Sequence, residues 1–330
     1  MTVLAGDIGG TNSRLAIYDV PSTGLRGVKP IFEQTYPSAA HASLDVIAQK
    51  FLTVAAGAVG ARAGVDSACF GIAGPIEHNI CRATNLPWVV DGNALAQKLG
   101  IARVVLVNDF HAAALGVTAV EPDELVALGG DVRVPHGPMA VLGAGTGLGQ
   151  ALLHNVDGRF LPSASEAGHA DFAARTEREI ALVRDLTTRY GRADVEHVVS
   201  GRGLINIHRV AHEQPCAAGV DLESPDAAAA MSAAALERRC PGCVETLDMF
   251  VEAYGAESGN LALRSVSTGG LYIGGGIAPK ILPALTTGPF MRTFLAKPPL
   301  DPMLAAMPVK VILNAEAGLL GAAVFAAQRR

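Results

Sequence analysis

The N-terminal segment reads Thr2-Val-Leu-Ala-Gly-Asp-Ile-Gly-Gly-Thr-Asn-Ser-Arg-Leu-Ala-Ile-Tyr18, with a glycine turn between two short apolar runs. Apolar runs bounded by glycines are typical of strands. Glycine also permits the backbone angles of a tight turn and lets a ligand approach the main chain closely. The segment therefore predicts a strand, a glycine turn and a second strand.

A similar unit recurs in the middle of the chain. Met139-Ala-Val-Leu142 leads into Gly143-Ala-Gly-Thr-Gly-Leu-Gly149, and Gln150-Ala-Leu-Leu153 follows. Thr11 and Thr146 occupy equivalent places in the two units, which favours two related halves that face each other. Two unrelated glycine-rich hairpins are the alternative, since short glycine matches arise easily.

Strand and helix patterns alternate along the rest of the chain. Strands are predicted at residues 66–73, 102–107, 271–276 and 309–313, and helices at residues 43–61, 227–235, 244–263 and 318–328. The helical spacing of apolar residues is clearest in residues 43–61. This alternation indicates an α/β protein with mixed sheets.

Composition excludes several classes of protein. The chain has 330 residues, half of them hydrophobic, and a net charge of −5. A prior of about 150 residues per domain favours two domains, and this hydrophobicity argues against disorder. The absence of a basic cluster argues against a nucleic-acid partner. Asp7 falls where a signal peptide would be apolar, and the longest uncharged apolar stretch is rich in glycine, so we expect a soluble, cytoplasmic protein without a membrane partner.

The glycine-rich loops suggest anion binding of a particular kind. In the loop Gly143–Gly149, position 148 is Leu and position 150 is Gln, so neither register fits the G-x-G-x-x-G pattern of dinucleotide-binding proteins. The Gly-Lys pair of a Walker A loop does not occur in the sequence. What remains is a glycine hairpin whose backbone N–H groups form an anion nest. A third cluster, Gly274-Gly275-Gly276, either lets a flat base lie against the backbone or packs a strand against a helix.

Two acidic groups follow predicted strands. Asp7 precedes the first glycine turn, where a carboxylate assists phosphate binding through Mg²⁺ or its waters. Asn108-Asp109 follows the run that ends at Val107, and side chains at the carboxyl ends of strands face the ligand in α/β sheets. An ionised Asp there accepts a hydroxyl proton. The plainer alternatives are a turn cap for Asp7 and a helix N-cap before His111 for the Asn-Asp pair.

Two further segments carry polar groups suited to a sugar. Glu166-Ala-Gly-His-Ala-Asp171 places three of them around a glycine, and a polyhydroxyl ligand needs such convergent acceptors and donors. A metal site and a solvated loop are the alternatives. Glu196-His197 precedes Ser200-Gly201 at a predicted helix start, where either side chain faces a ligand or caps the surface.

The five cysteines do not form a disulfide framework for a chain of this size. We expect Cys69, Cys81 and Cys216 to be small buried hydrophobic residues. The pair in Cys240-Pro-Gly-Cys243 resembles a redox or zinc motif, with His208 and His212 as the second half of a zinc site. No second C-x-x-C occurs, so the zinc interpretation is disfavoured.

Taken in order, these motifs resemble the bacterial ATP-dependent glucokinase family, within the sugar-kinase, actin and Hsp70 superfamily. The resemblance covers nearly the whole chain. It rests on the segments Gly6–Arg14, Val107–Phe110, Gly143–Gly149, Ser165–Phe172, Val199–Leu204, Tyr272–Ile277 and Gly318–Ala322. It implies two ribonuclease-H-like α/β domains (the actin-like ATPase fold) with mixed sheets and an interdomain cleft. Residues 1–109 with about 312–330 would form the smaller domain, and residues 110–311 the larger.

The resemblance also assigns roles to single residues. Phosphate contacts are implied for Asp7, Gly9, Gly10, Thr11, Asn12, Gly145, Thr146 and Gly147, adenosine contacts for Gly274, Gly275 and Gly276, and sugar contacts for Asn108, Asp109, Glu166, His169 and Glu196. Asp109 is the implied catalytic base, and Asp7 the implied Mg²⁺ ligand through water. Glu196 is the nearest match to a sugar-binding Glu that precedes a Ser-Gly pair in the family, and His197 intervenes.

The implied activity is transfer of the γ-phosphoryl group of ATP to the 6-hydroxyl of glucose, with Mg²⁺ as cofactor, as the entry step of glycolysis. The resemblance also suggests a homodimer. Three alternatives stay open: a kinase of mannose, fructose or an N-acetylhexosamine, a sugar sensor without catalysis, and an ATPase with a protein partner. The absence of the cysteine-rich zinc motif of the related repressors, and of an N-terminal helix-turn-helix segment, argues against the sensor.

Overall fold

The structure is a computed structural model that describes residues 1–22, 24–60, 64–212 and 216–328, apart from the side chain of residue 164. The chain divides into two compact units. The first comprises Met1–Leu125, Phe160–Pro162 and Asn314–Arg330, and the second comprises Val126–Arg159 and Ser163–Leu313. The first unit thus runs past the boundary expected after Asp109, because the helix that begins there packs against the C-terminal helix of the same unit.

The strands follow the predicted order along the chain. They are β1 Thr2–Ile8, β2 Asn12–Asp19, β3 Phe32–Pro37, β4 Ser67–Ile72, β5 Ile76–Glu77, β6 Ile80–Arg82, β7 Val89–Asp91, β8 Val104–Asn108, β9 Leu125–Gly129, β10 Met139–Ala144, β11 Leu148–Val156, β12 Arg159–Ser165, β13 Gly270–Gly274 and β14 Val309–Ile312.

The helices alternate with these strands. They are α1 Leu44–Val59, α2 Gly92–Leu99, α3 Asp109–Gly116, α4 Glu177–Tyr190, α5 Gly201–Ala211, α6 Ala227–Leu236, α7 Pro241–Ser265, α8 Leu282–Thr286, α9 Pro289–Leu295, α10 Asp301–Ala306 and α11 Ala317–Ala327. Residue 61, the predicted end of the first helix, lies outside the described residues. None of the helices within the described ranges is both long and apolar enough to cross a membrane.

The first unit is built on a five-stranded sheet in the order β3-β2-β1-β4-β8. Strands β1 and β2 form the predicted antiparallel hairpin around the glycine turn. Strands β1, β4 and β8 run parallel, with Ile8 opposite Ile72 and Ile72 opposite Asn108. The glycine turn and Asn108 therefore emerge from the same edge of the sheet, where ligands bind in α/β proteins.

Helices α3 and α11 pack closely because two glycines remove side chains from their contact. A Cβ on Gly321 would lie 2.6 Å from the carbonyl carbon of Ala112, and a Cβ on Gly116 would lie 3.2 Å from Cα of Ala317. The backbones of the two helices thus meet directly. This packing brings the C-terminal segment into the first unit, beside β1.

The second unit contains a six-stranded sheet in the order β12-β11-β10-β13-β14-β9. Its first five strands repeat the arrangement of the first sheet, with an antiparallel hairpin followed by parallel neighbours. The alternative of two unrelated hairpins is therefore wrong. Helix α7 runs through the hydrophobic core of the unit, and Phe250 and Tyr254 on this helix are fully buried.

Candidate active site

The first glycine turn is held in one shape by hydrogen bonds from its own backbone and from one serine. The N–H of Gly9 donates to the carbonyl of Asn12 at 2.9 Å. Ser38 donates its hydroxyl to the carbonyl of Gly9 at 2.7 Å and its N–H to the carbonyl of Thr11 at 2.9 Å. Within the described residues, the N–H groups of Gly10 and Thr11 have no protein acceptor. A rigid turn with unpaired N–H groups suits an anion.

Asp7 lies at the end of β1, immediately before this turn. Burial raises the pKa of its carboxyl group, the nearby charge of Asp109 raises it further, and the Arg14 guanidinium opposes both. Arg14 stands opposite Asp7 in the hairpin and also contacts Glu316 at 3.3 Å. Two carboxylates that repel each other offer the oxygen ligands that Mg²⁺ prefers. The residues present therefore fit a magnesium ion.

Asn108 and Asp109 lie where β8 ends and α3 begins. Asn108 is the N-cap of α3, because its Oδ1 accepts the N–H of Phe110 at 2.9 Å, while its Nδ2 donates to the carbonyl of Gly74 at 3.3 Å. Asp109 also accepts the N–H of Phe110, at 2.8 Å. The capping role that the sequence offered as an alternative is thus confirmed for Asn108. These bonds also fix the direction of both side chains at the ligand edge of the sheet.

The second glycine turn lies against the N-terminus of a helix. The N–H of Gly145 donates to the carbonyl of Gly147, and the N–H of Gly201 donates to the carbonyl of Gly145, both at 2.8 Å. Gly201 is the first residue of α5, and the N-cap Ser200 accepts the N–H of Gly203 at 3.0 Å. A helix N-terminus carries a partial positive charge and attracts phosphate. Turn and helix together therefore suit an anion within the second unit.

Glu196 lies directly against this turn. Its Oε2 accepts the N–H of Leu148 at 2.8 Å. A Cβ on Gly147 would lie 3.1 Å from the carboxyl carbon of Glu196 and closer still to Oε2, so only glycine leaves room for the carboxylate there. The N–H of Glu196 donates to the carbonyl of Gly168 at 2.8 Å. Through that bond the segment Glu166–His169 is joined to Glu196, and a Cβ on Gly168 would meet the backbone of Leu148, so the segment itself adjoins the glycine turn.

Asp194 orients both histidines of this region. It is buried, and its carboxylate lies 3.3 Å from Nδ1 of His169 and 3.0 Å from Nδ1 of His197. The ring of His197 stacks on Tyr190, with centroids 4.5 Å apart, and its side chain is only 14% exposed. His169 is 57% exposed. His169 and Glu196 are therefore available to a ligand, whereas His197 is packed into the structure.

A cavity of about 710 Å³ opens beside the second glycine turn. Its lining comes from that turn, the first residues of α5, the segment before α6, α6 itself and the residues after the third glycine cluster. It includes Gly145, Thr146, Gly201, Arg202, Glu223, Ser224, Ala229, Ser232, Ile277 and Lys280. This volume and the mixture of apolar and polar groups are typical of a site for a small organic ligand.

The third glycine cluster lies at the end of β13, next to the second turn. Gly143 stands opposite Gly274 in the parallel pair of β10 and β13. Gly275 has a φ of +81°, and a Cβ there would lie 2.9 Å from the carbonyl carbon of Ala144. A side chain at Gly275 is therefore excluded by strain and by contact. Ile277, which follows this cluster directly, is one of the residues that line the cavity.

Some residues of the site were missed from the sequence. Asp194 had no recognisable motif, and its role became visible only through its two histidine partners. Ser38 lies far along the chain from the turn that it holds. Arg202 lines the cavity; it stands within the quoted segment Val199–Leu204, which could have drawn attention to it.

Known structures identify the class of protein. A glucokinase from an Antarctic psychrotroph superposes with a TM-score of 0.87, at 28% identity over 98% of each chain. A ROK family glucokinase from Streptomyces griseus superposes with a TM-score of 0.64, at 22% identity over the whole of both chains. The repeated sheets and their glycine turns thus define a sugar kinase with the actin-like ATPase fold, which confirms the predicted fold class.

Sequence comparison identifies the family. The model of the family named Glucokinase matches residues 4–329. The chain is 42% identical to a glucokinase from Synechocystis over 98% of both sequences. The chain belongs to the glucokinase family, and the expectation of an ATP-dependent hexose kinase is confirmed.

Proposed function

We propose that the protein transfers the γ-phosphoryl group of ATP to the 6-hydroxyl of glucose, giving glucose 6-phosphate and ADP. One observation carries this proposal beyond family membership. In the second unit, the carboxylate of Glu196 and the segment Glu166–His169 adjoin the glycine turn at Gly147. Groups that suit sugar hydroxyls thus stand directly beside a turn that suits phosphate, as a sugar kinase requires.

The phosphates of ATP are assigned to the two glycine turns. Gly9, Gly10, Thr11 and Asn12 form the first turn, and Gly145, Thr146 and Gly147 form the second. Backbone N–H groups in these turns and at the start of α5 stabilise the negative charge of the transferring group. A neighbour of known structure, the Streptomyces griseus enzyme, holds glucose and the ATP analogue AMPPNP, which supports the same pair of ligands here.

The adenosine of ATP is assigned to the cavity beside the second turn. The cluster Gly274–Gly276 is assigned to adenosine contacts, since Ile277, directly after it, lines the cavity. Arg202 and Lys280 on the cavity lining supply positive charge. The apolar part of α6 suits the flat base.

The acceptor sugar is assigned to Asn108, Asp109, Glu166, His169 and Glu196. Asp109 acts as the base and accepts the proton of the 6-hydroxyl as its oxygen attacks the γ-phosphorus. The other four side chains hydrogen-bond the remaining hydroxyls and hold the 6-hydroxyl in line, because positioning supplies much of the catalysis of phosphoryl transfer. Asp194 fixes the ring of His169, so that its outer nitrogen faces the sugar.

Asp7 is the residue assigned to Mg²⁺, which it would hold through water. When bound, the ion neutralises charge on the phosphates. Asp109 is the second carboxylate near Asp7, and the ion would also relieve their mutual repulsion. The homodimer implied by the resemblance is part of the same proposal, and sedimentation velocity of the purified chain tests it.

The activity is tested by ADP release from Mg-ATP with the purified chain. Glucose is compared with mannose, fructose and N-acetylglucosamine, and a reaction without sugar measures hydrolysis alone. We expect turnover with glucose well above the other sugars and little ADP without sugar. Preferred turnover of another hexose would replace glucose as the substrate, and the absence of turnover with all four sugars would refute the assignment.

A further inference from the structure

Three cysteines and two histidines that are distant in sequence meet in the second unit, away from the groups assigned to catalysis. Cys240 and Cys243 lie at the start of α7, and His208 and His212 lie at the end of α5. Cys216, which was expected to be a small buried hydrophobic residue, is partly exposed and joins them. Its thiol lies beside those of Cys240 and Cys243.

The spacing of these sulfurs is that of metal ligands. The Sγ atom of Cys216 lies 3.8 Å from Sγ of Cys240 and 3.7 Å from Sγ of Cys243. Two thiolates on one tetrahedral zinc ion, each about 2.3 Å from the metal, are about 3.8 Å apart. All three residues are free cysteines.

His212 adjoins two of these sulfurs, those of Cys216 and Cys240. Its Nε2 lies 3.2 Å from Sγ of Cys240, and a nitrogen and a sulfur on one tetrahedral zinc ion are about 3.5 Å apart. A Cβ on Gly242 would lie 2.5 Å from Nε2 of His212. The glycine of Cys240-Pro-Gly-Cys243 is therefore needed to admit the imidazole of His212.

His208 is the second histidine of the cluster and contacts both Thr246 and His212. The hydroxyl of Thr246 donates to the carbonyl of Gly242 at 2.7 Å, so Nδ1 of His208 must donate to that hydroxyl oxygen, 2.9 Å away. Its ring packs edge-on against His212, with centroids 4.7 Å apart. The bond to Thr246 leaves Nε2 of His208 with a free lone pair, as a metal ligand requires, and His208 groups with Cys216 and Cys243. We choose His212 because its Nε2 contacts Sγ of Cys240 directly, and the variants below decide between the two rings.

The surroundings also favour a thiolate at Cys240, which is fully buried. Its sulfur accepts hydrogen bonds from the backbone of Cys243 and the backbone of Ala217, and it contacts the ring of His212. Backbone N–H groups directed at a sulfur stabilise the form that binds metals.

We propose that this cluster binds one zinc ion in a closed, structural site. Its four ligands are Cys216, Cys240, Cys243 and His212. The ion ties together the end of α5, the start of α7 and the segment that leads from Cys216 to Glu223 and Ser224 on the cavity lining. The site does not depend on the proposed catalytic assignments, since none of its ligands takes part in them.

Metal content of the full chain, purified under reducing conditions without chelators, tests the proposal. We expect about one zinc per chain, as a closed four-ligand site requires. Cys216→Ser, Cys243→Ser and His212→Asn should each lose the bound zinc. Cys69→Ala removes a buried thiol of β4 and is the matched control, which should keep it. His208→Asn should also keep the zinc. If His208→Asn loses zinc while His212→Asn keeps it, His208 is the ligand in place of His212.

Cobalt provides a readout that needs no variant. The unsubstituted chain, stripped of metal and loaded with Co²⁺, should show sulfur-to-metal charge transfer in the near ultraviolet and the intense visible bands of a tetrahedral ion. Weak octahedral bands would refute the site. So would a reduced chain that contains no zinc and takes up none from solution, or a Cys240–Cys243 disulfide that survives reductant.

Discussion

Replacing Gly147 by alanine is expected to displace the carboxylate of Glu196 while the fold persists. The new Cβ would lie 3.1 Å from the carboxyl carbon of Glu196 and closer to Oε2, whereas nonbonded carbons separate to about 3.5–4.0 Å. The carboxylate must therefore move by roughly 0.5–1 Å. Gly147 is not among the glycines with positive φ, so alanine suffers no backbone strain there. The clash is with the end of a flexible side chain, which can move away.

The magnitude follows from the bond that is lost. The displaced carboxylate would lose the hydrogen bond to a sugar hydroxyl that we assign to Glu196, and a hydrogen bond to a charged group contributes about 1.5–3 kcal/mol. Since about 1.4 kcal/mol is a factor of ten, kcat/KM for glucose should fall about 10- to 100-fold. A displacement of about 1 Å in a positioning group has a similar cost.

The assay is steady-state ADP release with glucose varied at saturating ATP, and then with ATP varied at saturating glucose. Gly145→Ala is the matched control on the same turn, because its Cβ would meet nothing within 4 Å. We expect Gly145→Ala to change the KM for ATP and to leave the KM for glucose near that of the unsubstituted chain. If Gly147→Ala keeps kcat/KM for glucose within about twofold, Glu196 does not hold the sugar as proposed.

Three further results are expected. Asp109→Asn should lower kcat about 100-fold or more with little change in the KM for glucose, because it removes the base and keeps the shape; near-normal turnover would remove Asp109 from that role. Gly321→Ala should destabilise the chain by about 1–3 kcal/mol in urea unfolding, because the added Cβ would clash with the backbone of Ala112. Gly57→Ala is the control and should be neutral or stabilising, because a Cβ there meets nothing within 4 Å. Asp7→Asn should raise Tm at neutral pH while activity falls, because the raised pKa of Asp7 shows that its charged form is unfavourable in the folded protein. The gain in Tm should shrink at acidic pH, where the Asp7 carboxyl is protonated. An equal gain in Tm at all pH values would contradict this cause.

Both glycine hairpins were predictable from the sequence because their signals are local. An apolar run, a glycine turn and a second apolar run describe β1 with β2 and β10 with β11 without any distant contact. The equivalence of Thr11 and Thr146 also indicated the repeat that the strand order of the two sheets confirms. The extent of the first unit was harder to predict, since it depends on the contact of α3 with α11, at opposite ends of the sequence.

The sequence pattern alone does not decide whether Glu196 or His197 faces the ligand. Both residues are polar, adjacent and close to the start of α5, so spacing alone cannot separate them. The structure separates them because Tyr190 stacks on His197 and Asp194 binds it, while the space left by Gly147 admits Glu196. The roles of the site residues in binding and catalysis remain predictions that the kinetic experiments test.

By itself, the sequence determined the class of fold, the order of the glycine turns and the family, because local periodicity and motif order are written along the chain. Only the tertiary structure decided which polar groups meet. Cys216 lies beside Cys240, Cys243 and His212 because α5 and α7 pack together, and Asp194 reaches two histidines because the segment Glu166–His169 bonds to Glu196. Such contacts depend on packing between distant segments and cannot be predicted from a local sequence pattern.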